Sequence, residues 1–207
     1  MGQLSTIFAN YQDPFGYLAS EGYMYRFSGA TLATTATGPQ SYATTTPTFI
    51  LVVDAGTQFA VIPAEMRLFQ AGTVAGGAIT YLMEMDNADR YTSGGTALVS
   101  QNVKTTGPTL ASRVTAGAIA MYDTNSTAIT ATDAYGIRMD GGLLGMDVSP
   151  AEGAVQTIIW TPQAGIDILA PSSTLGASWI INTSTAAGAG ATWIYSFKAA
   201  VVPLGWL

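Results

Sequence analysis

Apolar and polar positions in this chain alternate with a period of two, in short runs divided by Gly, Pro, Asn and Asp. From Thr48 onward the runs follow one another closely. Residues 49–53 stop at Asp54-Ala55-Gly56, residues 59–62 at Pro63, and residues 65–69 at Ala71-Gly72. Residues 79–85 set Tyr81, Met83 and Met85 against Leu82 and Glu84. The runs 97–103, 114–122 and the segment around Ile129 continue the series, and 135–139 ends at Asp140-Gly141-Gly142. The last third gives the plainest signals, at 155–160, 166–169, 178–181 and 193–202. About ten short strands at irregular spacing predict an all-β fold, an antiparallel β-sandwich of jelly-roll or Greek-key type. In the final run Trp193, Tyr195 and Phe197 share one face and Ile194, Ser196 and Lys198 the other, so the aromatic face is expected in the core.

Helical periodicity is confined to a short stretch at 5–10, cut off by Asp13-Pro14 and Gly16. Residues 1–47, rich in Tyr, Ala, Thr and Gly, are expected to form an extended N-terminal arm with one strand near 23–27, and residues 48–207 the sandwich domain. The tail from Val201 to Leu207 is apolar to its last residue. Chain ends are normally polar and frayed, so this one is expected to be buried against a neighbour. The pairs Gly76-Gly77, Gly94-Gly95 and Gly141-Gly142 read as turns requiring positive φ.

Composition then narrows the chemistry. The chain has no His, no Cys and only two Lys (Lys104 and Lys198). Those are the groups that most often move protons or attack electrophiles near neutral pH, so the chain is expected not to be an enzyme. Charged residues make up 10%, against roughly 25% in an average soluble chain. Such a deficit fits a surface covered by other subunits. The net charge is −6, and the seven basic residues, Arg26, Arg67, Arg90, Lys104, Arg113, Arg138 and Lys198, are scattered singly. Nucleic-acid binding is driven by clustered Lys and Arg, so no nucleic-acid partner is expected. No run approaches the length of a transmembrane helix, and no basic n-region or apolar h-region marks a signal peptide. No membrane partner is expected; Gly2 and Thr6 fit the myristoylation pattern, but no basic cluster follows to supply a second membrane signal. Asn125 and Asn182 fit glycosylation patterns that read more simply as Thr-rich loops.

Candidate sites are few. Glu84, Asp86 and Asp89 place carboxylates at near-alternate positions and form a weak candidate for a hard cation, without the Gly and distal Glu of an EF-hand. Asp140 with Asp147 is weaker. A polar strand end turning at Asp86-Asn87 accounts for the first group equally well, so no metal and no cofactor is expected. No nucleotide-binding glycine pattern or nucleophile elbow occurs.

The run Arg90-Tyr91-Thr92-Ser93-Gly94-Gly95-Thr96-Ala97-Leu98-Val99-Ser100-Gln101-Asn102-Val103 resembles a "Y-S-G-G-T-x-L-x-x-x-N-V" segment of virion structural proteins of tailed bacteriophages. Residues 168–175, followed by Trp193-Ile194-Tyr195-Ser196-Phe197, look like the closing strands of the same kind of jelly-roll subunit. The likeness covers about half the chain, and Trp193-Ile194-Tyr195 departs from it in lacking an acidic residue after the Trp. The resemblance implies a head decoration (cement) or minor capsid protein, commonly a homotrimer, on the outer surface of the virion and bound to the major capsid protein.

The expected function is therefore a capsid decoration protein that stabilises a phage head through intersubunit contacts. Tyr11, Phe15, Tyr17, Tyr23 and Tyr25 of the arm, with Trp206 and Leu207 of the tail, are the expected contacts, and removal of residues 1–20 is expected to leave the sandwich folded. The alternative is a receptor- or glycan-binding domain of a tail fibre or spike, which exposed Trp160 or Trp179 would favour. A main coat subunit is a third reading, and it lacks the basic inner face such a subunit needs.

Overall fold

The computed structural model describes residues 2–31, 33–71, 79–132, 137–144, 156–162, 167–185 and 190–207, with 137–144 described by backbone only. The chain begins with two helices, α1 (Gln3–Asn10) and α2 (Pro14–Ser20), and then β1 (Met24–Ser28), β2 (Ala36–Thr37), β3 (Phe49–Val53) and β4 (Phe59–Gln70). Next come β5 (Ile79–Asp86), β6 (Tyr91–Gly94), β7 (Thr96–Ala97), β8 (Val99–Asn102) and a short helix α3 (Leu110–Arg113). It closes with β9 (Ile119–Asp123), β10 (Ile129–Ala131), β11 (Ile137–Leu144), β12 (Thr157–Trp160), β13 (Ala177–Thr185), β14 (Thr192–Pro203) and a 3-10 turn (Leu204–Trp206).

The fold is an antiparallel β-sandwich. The front sheet runs β12-β4-β14-β1-β8, with β2 also paired to β14; the back sheet runs β11-β5-β13-β3-β9-β7. Strand alternation sends Tyr25, Phe27, Val61, Met66, Leu68, Trp193, Tyr195 and Phe197 inward from the front sheet. They meet Phe49, Leu51, Met83, Met121, Trp179 and Ile181 from the back sheet. Phe49 sits 4.9 Å from both the Tyr195 and Phe197 rings, and Trp179 meets Trp160 at 5.6 Å and Phe197 at 5.9 Å. The aromatic face expected of the last strand is thus the middle of the core. Each such ring contributes on the order of 1.5–3 kcal/mol over its exposed state.

Several local expectations change. Residues 59–62 and 65–69 belong to one strand, because Pro63 sits where the pairing with β14 shifts register between Lys198 and Ala199. A bulge tolerates a residue with no N–H to donate. Gly141 and Gly142 do not turn but pair with Leu82 and Tyr81 inside β11. Gly94 and Gly95 do turn, at φ 79° and 70°, between β6 and β7. Gly76-Gly77, Asp147, Val155 and Ile166 lie outside the described residues.

The largest difference is at the N-terminus. Residues 1–47, expected as an extended arm, supply α1, α2 and β1, which lies inside the front sheet between β14 and β8. Asp13-Pro14 does end α1, but the same pair starts α2. The Asp13 side chain accepts a 2.8 Å hydrogen bond from the Gly16 amide, and Pro14 occupies the first turn, where a missing N–H costs nothing. Leu4, Ile7 and Leu18 from these helices are buried against Met24, Ala60, Ile62, Ala200 and Val202. Removing residues 1–20 would uncover that second core while leaving the inter-sheet core its own residues.

Candidate interaction surface

The two helices cover only part of the outer face of the front sheet. They lie over Ala60, Ile62, Ala200 and Val202, up to the bulge between Lys198 and Ala199. Beyond it the outward side chains fall into three rows fixed by strand register. The first, at the foot of the helices, runs Gln101–Arg26–Lys198–Glu65 across β8, β1, β14 and β4. The second runs Val99–Ser28–Ser196–Arg67–Ile159, and the third Ile194–Phe69–Thr157.

These rows are open to solvent and partly apolar. Phe69 is 38% exposed, Ile194 41%, Val99 40% and Ile159 61%. Ile194 and Phe69 are direct cross-strand partners, and Ile159 lies diagonally from Phe69 in the next row, opposite Arg67. A groove of about 470 Å³ lies on this face, and its walls include Arg26, Ser28, Thr31, Phe69, Gln101 and Ile194. The charged row is organised: Glu65 accepts from Lys198 at 2.9 Å and from Arg67 at 2.8 Å. Burial pushes the Glu65 carboxyl up, but the hydrogen bonds from Lys198 and Arg67 outweigh it and hold the group below its ordinary value. Arg26 stands exposed beside them.

The outer face of the back sheet is closed instead. Ile50, Val52 and Ile180 are buried beneath Ile129, Ala131, Tyr91 and Tyr122. The β6–β10 pair forms this cover, with Tyr91 stacked on Tyr122 at 4.1 Å. Every residue of β13 is buried: Ala177, Trp179, Ile181 and Thr183 face the core between the sheets, and Ile180 faces the cover.

The residues expected to make intersubunit contacts divide. Tyr11 is exposed and stacks on Tyr17 at 4.2 Å; Phe15 is half-buried and meets Phe8 edge-on at 5.5 Å. Tyr23 packs on Trp206 at 4.7 Å and takes the Arg113 guanidinium over its ring at 4.0 Å. The tail therefore has a partner within its own chain, and Leu207 stays exposed. Tyr25 is a correction. It is fully buried, accepting from Arg113 Nε and donating to the Pro108 carbonyl, because it points inward where Arg26 points out.

The cation candidate does not assemble. Asp86 is held by Arg90 at 2.8 Å, Asp89 accepts from the Tyr91 amide, and Glu84 accepts from the Tyr42 hydroxyl. No group of three such ligands converges among the described residues. Trp160 and Trp179 are both buried in the core. Asn182 is buried in β13, whereas Asn125 is exposed. The front-sheet rows were not singled out by sequence reasoning. Their signal lay in the outward set Ile194, Ser196 and Lys198 of the last strand, and in Phe69 two residues beyond Arg67.

One buried titratable pair lies elsewhere. Tyr195 donates to the Asp123 carboxylate in a short hydrogen bond, and the Asn125 amide donates to the same carboxylate at 3.0 Å. Burial pushes the Asp123 carboxyl above its ordinary range despite these donors, and burial beside that carboxylate raises the Tyr195 hydroxyl. The pair ties β14 to β9 across the core. Comparison with protein-family models, with curated proteins and with solved structures finds no match for the chain.

Proposed function

We propose that this chain is a virion structural protein, a decoration or cement protein on the outer surface of a phage head, and that it acts by packing against other proteins rather than by catalysis. The observation that carries the reading is the open half of the front sheet. A sandwich that covers Ile50, Val52 and Ile180 on one outer face leaves the other with exposed Ile194 and Phe69 paired, and exposed Ile159 one row away, beside a ready-made row of charge. Exposed apolar patches of this kind mark interaction surfaces. The low charge content and the resemblance at residues 90–103 and 168–197 support the same reading. The glycan-binding alternative rested on exposed Trp160 or Trp179, and both side chains are in the core.

The test is co-sedimentation with heads of the encoding phage that lack the chain. Saturable binding of the wild type, reduced at least tenfold by Phe69→Asp, is the expected result. Absence of binding by the wild type, with retention on a glycan array, overturns the reading.

A further inference from the structure

The front side of the molecule is a step. The helical layer of α1 and α2 stands on one half of the sheet, and the three open rows form a recess on the other half. We propose that this step is self-complementary, and that two copies of the chain pair about a two-fold axis with the helical layer of each seated in the recess of the other.

Charge selects this pairing. The recess carries Arg26, Arg67 and Lys198 against Glu65, a net +2 on a chain of −6, which leaves −8 for the remainder. Recess against recess would oppose like charges. The helical layer has the opposite character: from residue 1 to residue 25 there is no Lys or Arg, while Asp13 and Glu21 are both exposed. It also presents exposed Tyr11 and half-buried Phe8, Phe15 and Tyr17, matching the apolar side chains of Ile194, Phe69 and Ile159.

Dimensions agree with charge. Three rows two residues apart span about 14 Å along the strands, and five strands span about 19 Å across. A helix of seven or eight residues is about 10–12 Å long and about 10 Å thick, so one helical pair fits the recess. Both surfaces lie on the same side of the molecule, so a two-fold operation satisfies both contacts at once, as a closed isologous interface requires. The two contacts together cover roughly 1,000 Å², near the lower bound for a specific interface. The assembly is therefore a weak, salt-sensitive dimer, in place of the trimer that the family resemblance implies. It draws on the same open face as the shell reading, and the two fail separately, because the dimer forms or fails on the isolated chain.

The test is sedimentation equilibrium of the full chain with Phe69→Asp, Arg26→Glu, Glu21→Lys and the double variant Arg26→Glu/Glu21→Lys. Near-UV circular dichroism checks that each is folded. The wild type is expected at twice 21.4 kDa at low salt. Dissociation is expected to strengthen at least tenfold as salt rises from about 0.01 to about 1 M, where the screening length falls from ~30 to ~3 Å. Phe69→Asp is expected to be monomeric. Each charge reversal weakens the dimer, and the double variant regains at least part of the loss. A monomeric or trimeric wild type overturns the proposal, and so does a dimer that a folded Phe69→Asp leaves intact.

Discussion

Strands β13 and β14 invert the usual relation between polarity and burial. The second half of β13 reads Asn182-Thr183-Ser184-Thr185, a sequence suited to a wet edge, and all of it is buried. β14 and its partner β4 offer Ile194 and Phe69, residues suited to a core, and both are exposed. The difference lies in what each side chain meets. Thr183 turns into the core between the sheets, where it meets Trp193, whereas Ile194 and Phe69 lie on the half of the front that the helical layer leaves open.

A polar strand can be buried only where its groups find partners, and most of those in β13 do. Thr183 is a hub: its Oγ1 accepts from Trp193 Nε1 at 2.9 Å and shares a 3.0 Å hydrogen bond with Thr48 Oγ1, which itself accepts from the Thr183 amide. Ser178 donates to the Ala88 carbonyl and accepts from the Arg90 amide. Asn182 and the Trp179 indole are exceptions: neither amide atom of Asn182, nor Trp179 Nε1, meets a hydrogen-bond partner among the described residues.

These contrasts set the order of the expected effects. Phe197→Ala, which empties a site packed by Phe49, Trp179 and Tyr195, is expected to cost about 3–5 kcal/mol in urea unfolding. Thr183→Val keeps the volume and strands Trp193 Nε1, while Thr48 Oγ1 keeps its bonds to the Thr183 backbone, with an expected loss of about 1–3 kcal/mol. Asn182→Leu removes two unpartnered polar atoms and is expected to raise stability by about 1 kcal/mol, the only gain in the set. A loss instead would mean that the back cover holds a partner for the amide.

The buried acid adds a pH signature. Folded Asp123 keeps its proton to a higher pH than the unfolded carboxyl, whose value is 3.8. Between the two values the folded state binds more protons, so its stability falls as pH rises through that window and levels off above it. Asp123→Asn, which still accepts from Tyr195, is expected to flatten that slope when unfolding is followed from pH 3 upward. The smallest effect is on the open face. Phe69→Ala is expected to change the stability of the monomer by less than about 0.5 kcal/mol, because Phe69 supports no core.

The sandwich was legible because period-two alternation survives wherever one side of a strand meets the core. Trp193, Tyr195 and Phe197 announced the inner face of β14 without any knowledge of what lay opposite. The burial of this polar stretch was not legible, since nothing in Asn182-Thr183-Ser184-Thr185 records that Thr183 meets Trp193 and Thr48 in the core. The N-terminal helices were hidden by their brevity and by Asp13-Pro14, which reads as a break and serves as a cap. Tyr25 shows the same limit at single-residue scale. Its neighbour Arg26 is exposed, and only the register of β1 decides which of the two points in. The candidate surface was the least legible part, because its three rows come from five strands far apart in sequence.

The central claim is that the open half of the front sheet is where this chain meets other proteins. Hydroxyl-radical footprinting of the side chains, with the free chain compared against the assembled form, tests it most directly. Labelling of Phe69, Ile194 and Ile159 is expected to fall severalfold on assembly, while Tyr91 of the back cover and Tyr122 of β9 beneath it are unchanged. Equal labelling of Phe69 and Ile194 in both forms, with protection at Tyr91 and Tyr122, would contradict it.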